Sequence, residues 1–168
     1  ELAKWQGKSR FLSEHFTWTK TRIVANAAPE TWFATARTWS KSADAQRQAD
    51  TLAGIHADHV LFVLDESGSI PRAVMATAEA VLSSGKESKV VQAGNATDRD
   101  GPLFDACVTH RHLWTVIEIT GDPDDPARSS RIKLEHAKEQ IETYGRENPW
   151  VMVNILGQFP PTSLNALL

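Results

Sequence analysis

Cysteine is almost missing from this chain. Cys107 is the single one in 168 residues, so no internal disulfide can form and no multi-cysteine zinc site can be built. That scarcity fits a reducing cytosolic compartment. An excess of positive charge is missing too: 18 Lys and Arg stand against 21 Asp and Glu, a net charge of −3. The strongly basic balance of a free-standing nucleic-acid binder is therefore excluded, although a local basic stripe is not. No apolar run approaches the roughly 18 residues of a membrane span, and the first residues, Glu1-Leu2-Ala3-Lys4, carry neither an initiator Met nor an apolar signal core. The expectation is a piece of a longer chain, with no membrane partner. Internal repeats and low-complexity stretches are also lacking. What remains, 41% hydrophobic and 23% charged residues, is the composition of one ordinary globular domain.

The chain opens with basic and aromatic residues, Trp5, Phe11, Phe16 and Trp18 among Lys4, Lys8, Lys20 and Arg22. A short helix is expected there, then a strand over residues 19–25 and a second over 31–36, where Thr31-Trp32-Phe33-Ala34-Thr35-Ala36 is rich in strand formers. A helix over 43–52, capped by Ser40 or Ser42 and closed by Gly54, follows. His59-Val60-Leu61-Phe62-Val63-Leu64 is continuously apolar after its first residue, the pattern of a strand buried on both faces of a parallel sheet. Further expectations are a helix over 72–82, a strand over 89–93, a polar loop over 94–102, one or two helical turns over 103–108, a strand over 113–119, and a helix over 134–144 ended by Gly145. This alternation predicts an α/β fold, a mainly parallel sheet with flanking helices. Two consecutive prolines, Pro160 and Pro161, read as the start of a linker over 159–168, leaving 1–158 as the folded part.

In open α/β sheets ligands bind at the carboxyl ends of the strands, and Asp65 and Glu66 leave the most apolar strand at that end. Four apolar residues followed by Asp-Glu is what a P-loop ATPase needs: the Asp holds hydrated Mg²⁺ and the Glu polarises the water that attacks the γ-phosphate. The plain alternative is an acidic cap on the next helix. Val90-Val91-Gln92-Ala93-Gly94-Asn95 ends a second strand in a small polar residue; Asn95 is placed to sense the γ-phosphate, or Gly94-Asn95 is simply a turn. Gly7-Lys8-Ser9 resembles the end of a phosphate-cradling loop, but the Gly required five residues earlier is Leu2, so a solvated turn is the simpler account. Asp122, Asp124 and Asp125 invite a two-metal reading; Pro123 and Pro126 interrupt them and favour a solvated turn. His110 and His112 flank Arg111 without forming a close ligand set and suit a surface or DNA-facing role as well as a metal, Arg37 follows a strand where it could reach a phosphate or stand as surface arginines do, and the six tryptophans, Trp5, Trp18, Trp32, Trp39, Trp114 and Trp150, suit core or subunit contacts better than base stacking.

Read in order, WTKTRI, PETWFATARTWS, HADHVLFVLDESGSIP, VVQAGNATDRDGPLF, ITGDPDDPARS and YGRENPWVMVNILGQFPP resemble the large subunit of tailed-phage terminases, over nearly the whole chain. The resemblance implies an ATP-driven motor that moves double-stranded DNA into a procapsid, on a RecA-like P-loop ATPase fold. Asp65 and Glu66 match the Walker B aspartate and catalytic glutamate, with Asp65 holding Mg²⁺ through water, and Gly94-Asn95 matches the coupling motif between hydrolysis and DNA movement. The family's Walker A strand and loop lie upstream of anything here, and its nuclease domain is expected after Leu168. By this resemblance the chain is the later half of an ATPase domain, a hydrolase using ATP and Mg²⁺ in the full protein and inactive alone. The implied partners are double-stranded DNA, the portal protein, the small terminase subunit and identical subunits of a motor ring, in the host cell cytoplasm during virion assembly. Two other readings stay open: a DExx helicase-like translocase sharing the same chemistry, and a non-catalytic binding or assembly fragment.

Overall fold

Ser9 divides the opening helical stretch into α1 (Leu2–Lys8) and α2 (Arg10–His15), because its hydroxyl accepts the Leu12 amide at 3.2 Å and caps the second helix. The computed structural model describes residues 2–38, 44, 47, 50, 55–83 and 85–161. Three short strands follow, β1 (Phe16–Trp18), β2 (Arg22–Ala25) and β3 (Phe33–Thr35), in an antiparallel sheet that pairs Thr17 with Val24 and Ile23 with Ala34. The strand expected over 19–25 thus forms only over Arg22–Ala25, and residues 16–18, before it, make a strand of their own. Thr19 closes the turn: its amide and its hydroxyl both donate to the Arg22 carbonyl at 2.8 Å, and the hydroxyl accepts the Arg22 amide at 3.2 Å, so a side chain stands in for one ladder bond. The connections are too short for a parallel crossover, and the expectation of a mainly parallel sheet fails here. Phe16 fastens this unit, meeting Trp32 edge-on with ring centroids 5.3 Å apart. The helix expected over 43–52 lies outside the described residues.

β4 (His59–Leu64), α3 (Arg72–Leu82) and β5 (Glu87–Gln92) form a βαβ unit, with the two strands parallel and in register from His59 opposite Glu87 to Leu64 opposite Gln92. Phe62 and Leu64 point toward α3 and form a core with Ile70, Val74, Met75 and Ala78, to which Val60, Val90 and Trp114 add. The opposite face is open: Leu61 and Val63 are 61% and 65% exposed. The continuous apolar run therefore does not mark a strand covered on both faces among the described residues.

After β5 a loop leads into α4 (Pro102–Phe104), which widens into a π turn over Asp105–Thr109 and then a 3₁₀ turn at Arg111–Leu113. The strand expected over 113–119 does not form. The Leu113 and Trp114 amides bond back to His110 and Arg111 within that turn, and Ile117 and Ile119 stay exposed with no neighbouring strand among the described residues. Strand propensity needs a partner surface to be expressed.

α5 (Leu134–Tyr144) ends at Gly145, where φ is +83°. Asn148 caps α6 (Pro149–Val151) by accepting the Trp150 amide at 2.9 Å, and the chain continues as a π turn over Met152–Leu156. Ala137, Val151, Ile155 and Leu156 make a second core. Among the described residues the structure is therefore mixed α/β, with one parallel two-stranded sheet and one antiparallel three-stranded sheet.

Candidate functional site

β4 and β5 end side by side, and the loops that leave them are locked together. The Ala93 amide donates to the Leu64 carbonyl at 2.9 Å, and the wholly buried Ser67 returns two bonds to the Ala93 carbonyl, from its amide at 2.9 Å and its hydroxyl at 3.1 Å. Glycines allow this approach. A Cβ on Gly94 would lie 2.8 Å from the amide nitrogens of both Ser67 and Gly68, closer than side-chain carbons ever stand to backbone. Asp65 and Glu66 precede this lock, exposed at the strand end, and Asn95 follows it from the other strand. All three line one wide cleft.

Glu66 has φ +52° and ψ +37°, the one non-glycine residue in the left-handed region among the described residues. Non-glycine residues avoid that region at a cost of about 1–2 kcal/mol, and such strain gathers at functional sites. Its amide donates to Asp65 Oδ1 at 2.9 Å, which orients the Asp65 carboxylate. Among the described residues no group of three or more His, Cys, Asp or Glu side chains converges to hold a metal. A cation here would rest on one carboxylate, with water and phosphate oxygens completing its shell, as Mg²⁺ commonly does. The Asp65 corner fits that demand.

The other candidates separate from this corner. Lys8 ends α1 with its ammonium 5.6 Å from the Trp5 ring, and Ser9 caps α2, so Gly7-Lys8-Ser9 is a helix junction and not a cradle. Asp122 and Asp124 are taken by Arg146, whose guanidinium donates to Asp122 Oδ1 at 2.7 and 3.0 Å, to Oδ2 at 2.8 Å, and to Asp124 at 3.1 Å. Asp125 accepts the Ala127 amide at 2.7 Å, so this is an internally satisfied turn. The His110 and His112 rings stand 6.5 Å apart, edge to face. Burial pushes the Cys107 thiol above its ordinary range, against the pull of the Arg111 cation. Trp114 packs on the first core, whereas Trp5, Trp18, Trp32 and Trp150 are exposed and Trp39 lies outside the described residues.

Sequence reasoning passed over four residues that build the site. Gly68 is one, lying beneath the Asn95 carbonyl. Arg72, at the start of α3, donates to Asp100 at 2.9 Å and also to Asp105, closing the far end of the loop after Asn95. Gln92, the last residue of β5, has both amide atoms buried without a hydrogen-bond partner, an arrangement that native structures seldom leave unexplained. Arg99, in the loop, reaches the Pro160 carbonyl. A glutamine ending the apolar Val90-Val91 run was a readable signal for Gln92; nothing in the linear pattern joins Arg72 to Asp105.

Comparison with known proteins adds one relative. Over 95% of its length the chain is 27% identical to a protein of Enterobacteria phage P7 named "Probable terminase, large subunit". The chain is similar to a phage terminase large subunit. The resemblance read from the motifs is borne out at that level. No family model matches the chain, and no solved structure does. The chain spans about a third of the length of the curated relative it matches, 32%. No helix among the described residues is long and apolar enough to cross a membrane.

Proposed function

We propose that this chain is part of the ATP-hydrolysing region of a terminase large subunit that drives double-stranded viral DNA into a procapsid. The observation that carries the reading is the corner itself. Two parallel strands deliver Asp65-Glu66 and Asn95 to one cleft, their loops interlocked through Ser67, Gly68 and Gly94, with Glu66 in a strained left-handed conformation.

In this reading the βαβ unit is part of a RecA-like sheet. No Gly-x4-Gly-Lys-Ser/Thr sequence occurs in the 168 residues, so the loop that cradles the phosphates comes from another stretch of a protein about three times as long, as the terminase relative is. Mg²⁺, when bound, neutralises phosphate charge. Asp65 would hold it, with its carboxylate in the orientation that the Glu66 amide fixes. The Glu66 carboxylate accepts a hydrogen bond from the attacking water and aligns it. Asn95 meets the γ-phosphate side of the site with its amide and carries its loss into residues 96–102. Duplex DNA is gripped through phosphates and not read by sequence, so affinity falls steeply with salt. Portal, small subunit and sister motor subunits are the partners in this reading, with the nuclease domain following the segment 159–168.

The test is Glu66→Gln in the full-length protein. ATP binding persists while phosphate release falls at least about 100-fold; undiminished hydrolysis overturns the reading. Asn95→Ala in the same assay keeps hydrolysis but lowers the DNA moved per ATP, and normal packaging removes Asn95 from the coupling role.

A further inference from the structure

The loop between Asn95 and α4 is pinned at both ends. At the near end the Asn95 carbonyl sits on Gly68, and the Thr97 hydroxyl donates to the Gly68 carbonyl at 3.5 Å. At the far end the Arg72 fork holds Asp100 and Asp105. A loop tethered only at one end absorbs a displacement by flexing. This one is fixed to the Glu66 turn on one side and to α3 on the other, so a shift of Asn95 must move what lies between. Arg99 lies between.

Two of the contacts of Arg99 lead toward Phe159 and Pro160. Its guanidinium donates to the Pro160 carbonyl at 3.3 Å and lies over the Phe104 ring at 5.1 Å, and Phe104 meets Phe159 edge-on at 5.0 Å. Pro160 is among the most completely buried residues. A planar guanidinium can donate to a carbonyl and stack on a ring at once, which an ammonium cannot reproduce. The bond to Pro160 joins residues 61 positions apart, so it fastens the loop to a distant segment.

We propose that Arg99 is a positioning residue that relays the state of the Glu66 and Asn95 corner to the segment Phe159-Pro160. This rests on the ATPase reading for its input and adds where the output goes: nucleotide state at the strand ends is felt at Phe159 and Pro160 through the Arg99 guanidinium. Coupling of this kind needs an element that both ends bias, and the doubly pinned loop is that element.

The test is hydrogen exchange by mass spectrometry on the full-length protein, with and without Mg²⁺ and a slowly hydrolysed ATP analogue. The Gln158 amide, bonded to the Met152 carbonyl at 2.8 Å, and the Phe159 amide report on the far end, since Pro160 and Pro161 have none. In the wild type the analogue changes exchange at Asn95, Ala96 and Thr97 and also at Gln158 and Phe159. In Arg99→Ala the first change stays and the second is lost, and the DNA moved per ATP falls about fivefold or more. Arg99→Lys behaves like Arg99→Ala, because charge alone does not restore the bond and the stack together. Arg99 is exposed, so neither variant empties a core, and the retained response at Asn95 certifies the fold. A full response at Gln158 and Phe159 in Arg99→Ala overturns the relay alone, as does a wild type that responds at Asn95 but not at Gln158. A wild type that responds at neither place overturns the ATPase reading and the relay with it.

Discussion

The carbonyl oxygen of Asn95 occupies the place where a side chain on Gly68 would begin: a Cβ there would lie 2.4 Å from that oxygen and 2.8 Å from the Thr97 hydroxyl. Backbone meets backbone, so neither partner can yield by changing rotamer. Gly68→Ala is expected to cost about 1–3 kcal/mol, as overpacking does, read as a lower midpoint in urea unfolding. Gly101→Ala is the matched control. Gly101 is also buried, its φ of −155° suits any residue, and its nearest atom would be 3.9 Å away. Its change should stay within about 0.5 kcal/mol.

Glu66 shows the opposite balance. Its left-handed backbone costs about 1–2 kcal/mol, of which glycine recovers all but the roughly 0.5–1 kcal/mol it loses in chain entropy. Glu66→Gly should therefore raise thermal stability, by up to about 1.5 kcal/mol, while ending hydrolysis in the full-length protein. A lower melting temperature would show that the carboxylate supports the fold, and the strain would lose its functional meaning.

How much of this was legible in the sequence follows from how local each cause is. The strand at 59–64, the helix at 72–82 and the helix over 134–144 are set by apolar runs and periodicity, and all three stand where expected. Asp65, Glu66 and Asn95 were singled out because strand ends are local features, and the structure brings them to one cleft. What failed depended on partners. The run 113–119 has strand composition but nothing to pair with among the described residues, and the strand expected over 19–25 starts only at Arg22, after a turn in which the Thr19 hydroxyl bonds the Arg22 backbone. The glycine lock and the Arg72 and Arg99 contacts join residues 26 to 61 positions apart, and no pattern of one-dimensional spacing encodes them.

The acidic turn is held by one arginine. Arg146 makes three hydrogen bonds to Asp122, whose side chain is 19% exposed, but a single 3.1 Å bond to Asp124, which is 83% exposed. Asp122→Ala should destabilise the protein by about 1 kcal/mol, the range of a well-formed two-nitrogen fork near the surface, and Asp124→Ala by less. Mg²⁺ should not stabilise this turn in the wild type, since the arginine already fills the place a cation would take. A stabilisation by Mg²⁺ that disappears in Asp122→Ala would restore the metal reading of this turn.

Val63 lies opposite Val91 on the open face of the parallel pair, and both are about half exposed or more, 65% and 49%. Contiguous apolar surface of this kind promotes association. Val63→Thr keeps the branched shape that strands favour and removes one exposed methyl. The 168-residue chain carrying it should bind less of a hydrophobic dye and stay soluble to higher concentration, with its unfolding midpoint unchanged within about 0.5 kcal/mol. Loss of stability instead would mean that Val63 is covered in solution.

Cys107 offers a reading by pH. Burial disfavours its thiolate and raises the thiol, Arg111 pulls it down, and Glu118 raises it further. The folded protein therefore holds its proton to higher pH than the unfolded chain does. Between those two values the folded state binds more protons, so stability falls as pH rises through that window and is unaffected below it. Alkylation by iodoacetamide, which needs the thiolate, should be slow at neutral pH in the native protein and speed up on unfolding in urea. Glu118→Gln removes a charge that raises the thiol and should move the alkylation profile toward lower pH. An unchanged or upward-shifted profile would show that Glu118 acts on Cys107 mainly by holding Arg111, with which it pairs at 2.8 Å, and that freeing the arginine does not bring its charge closer.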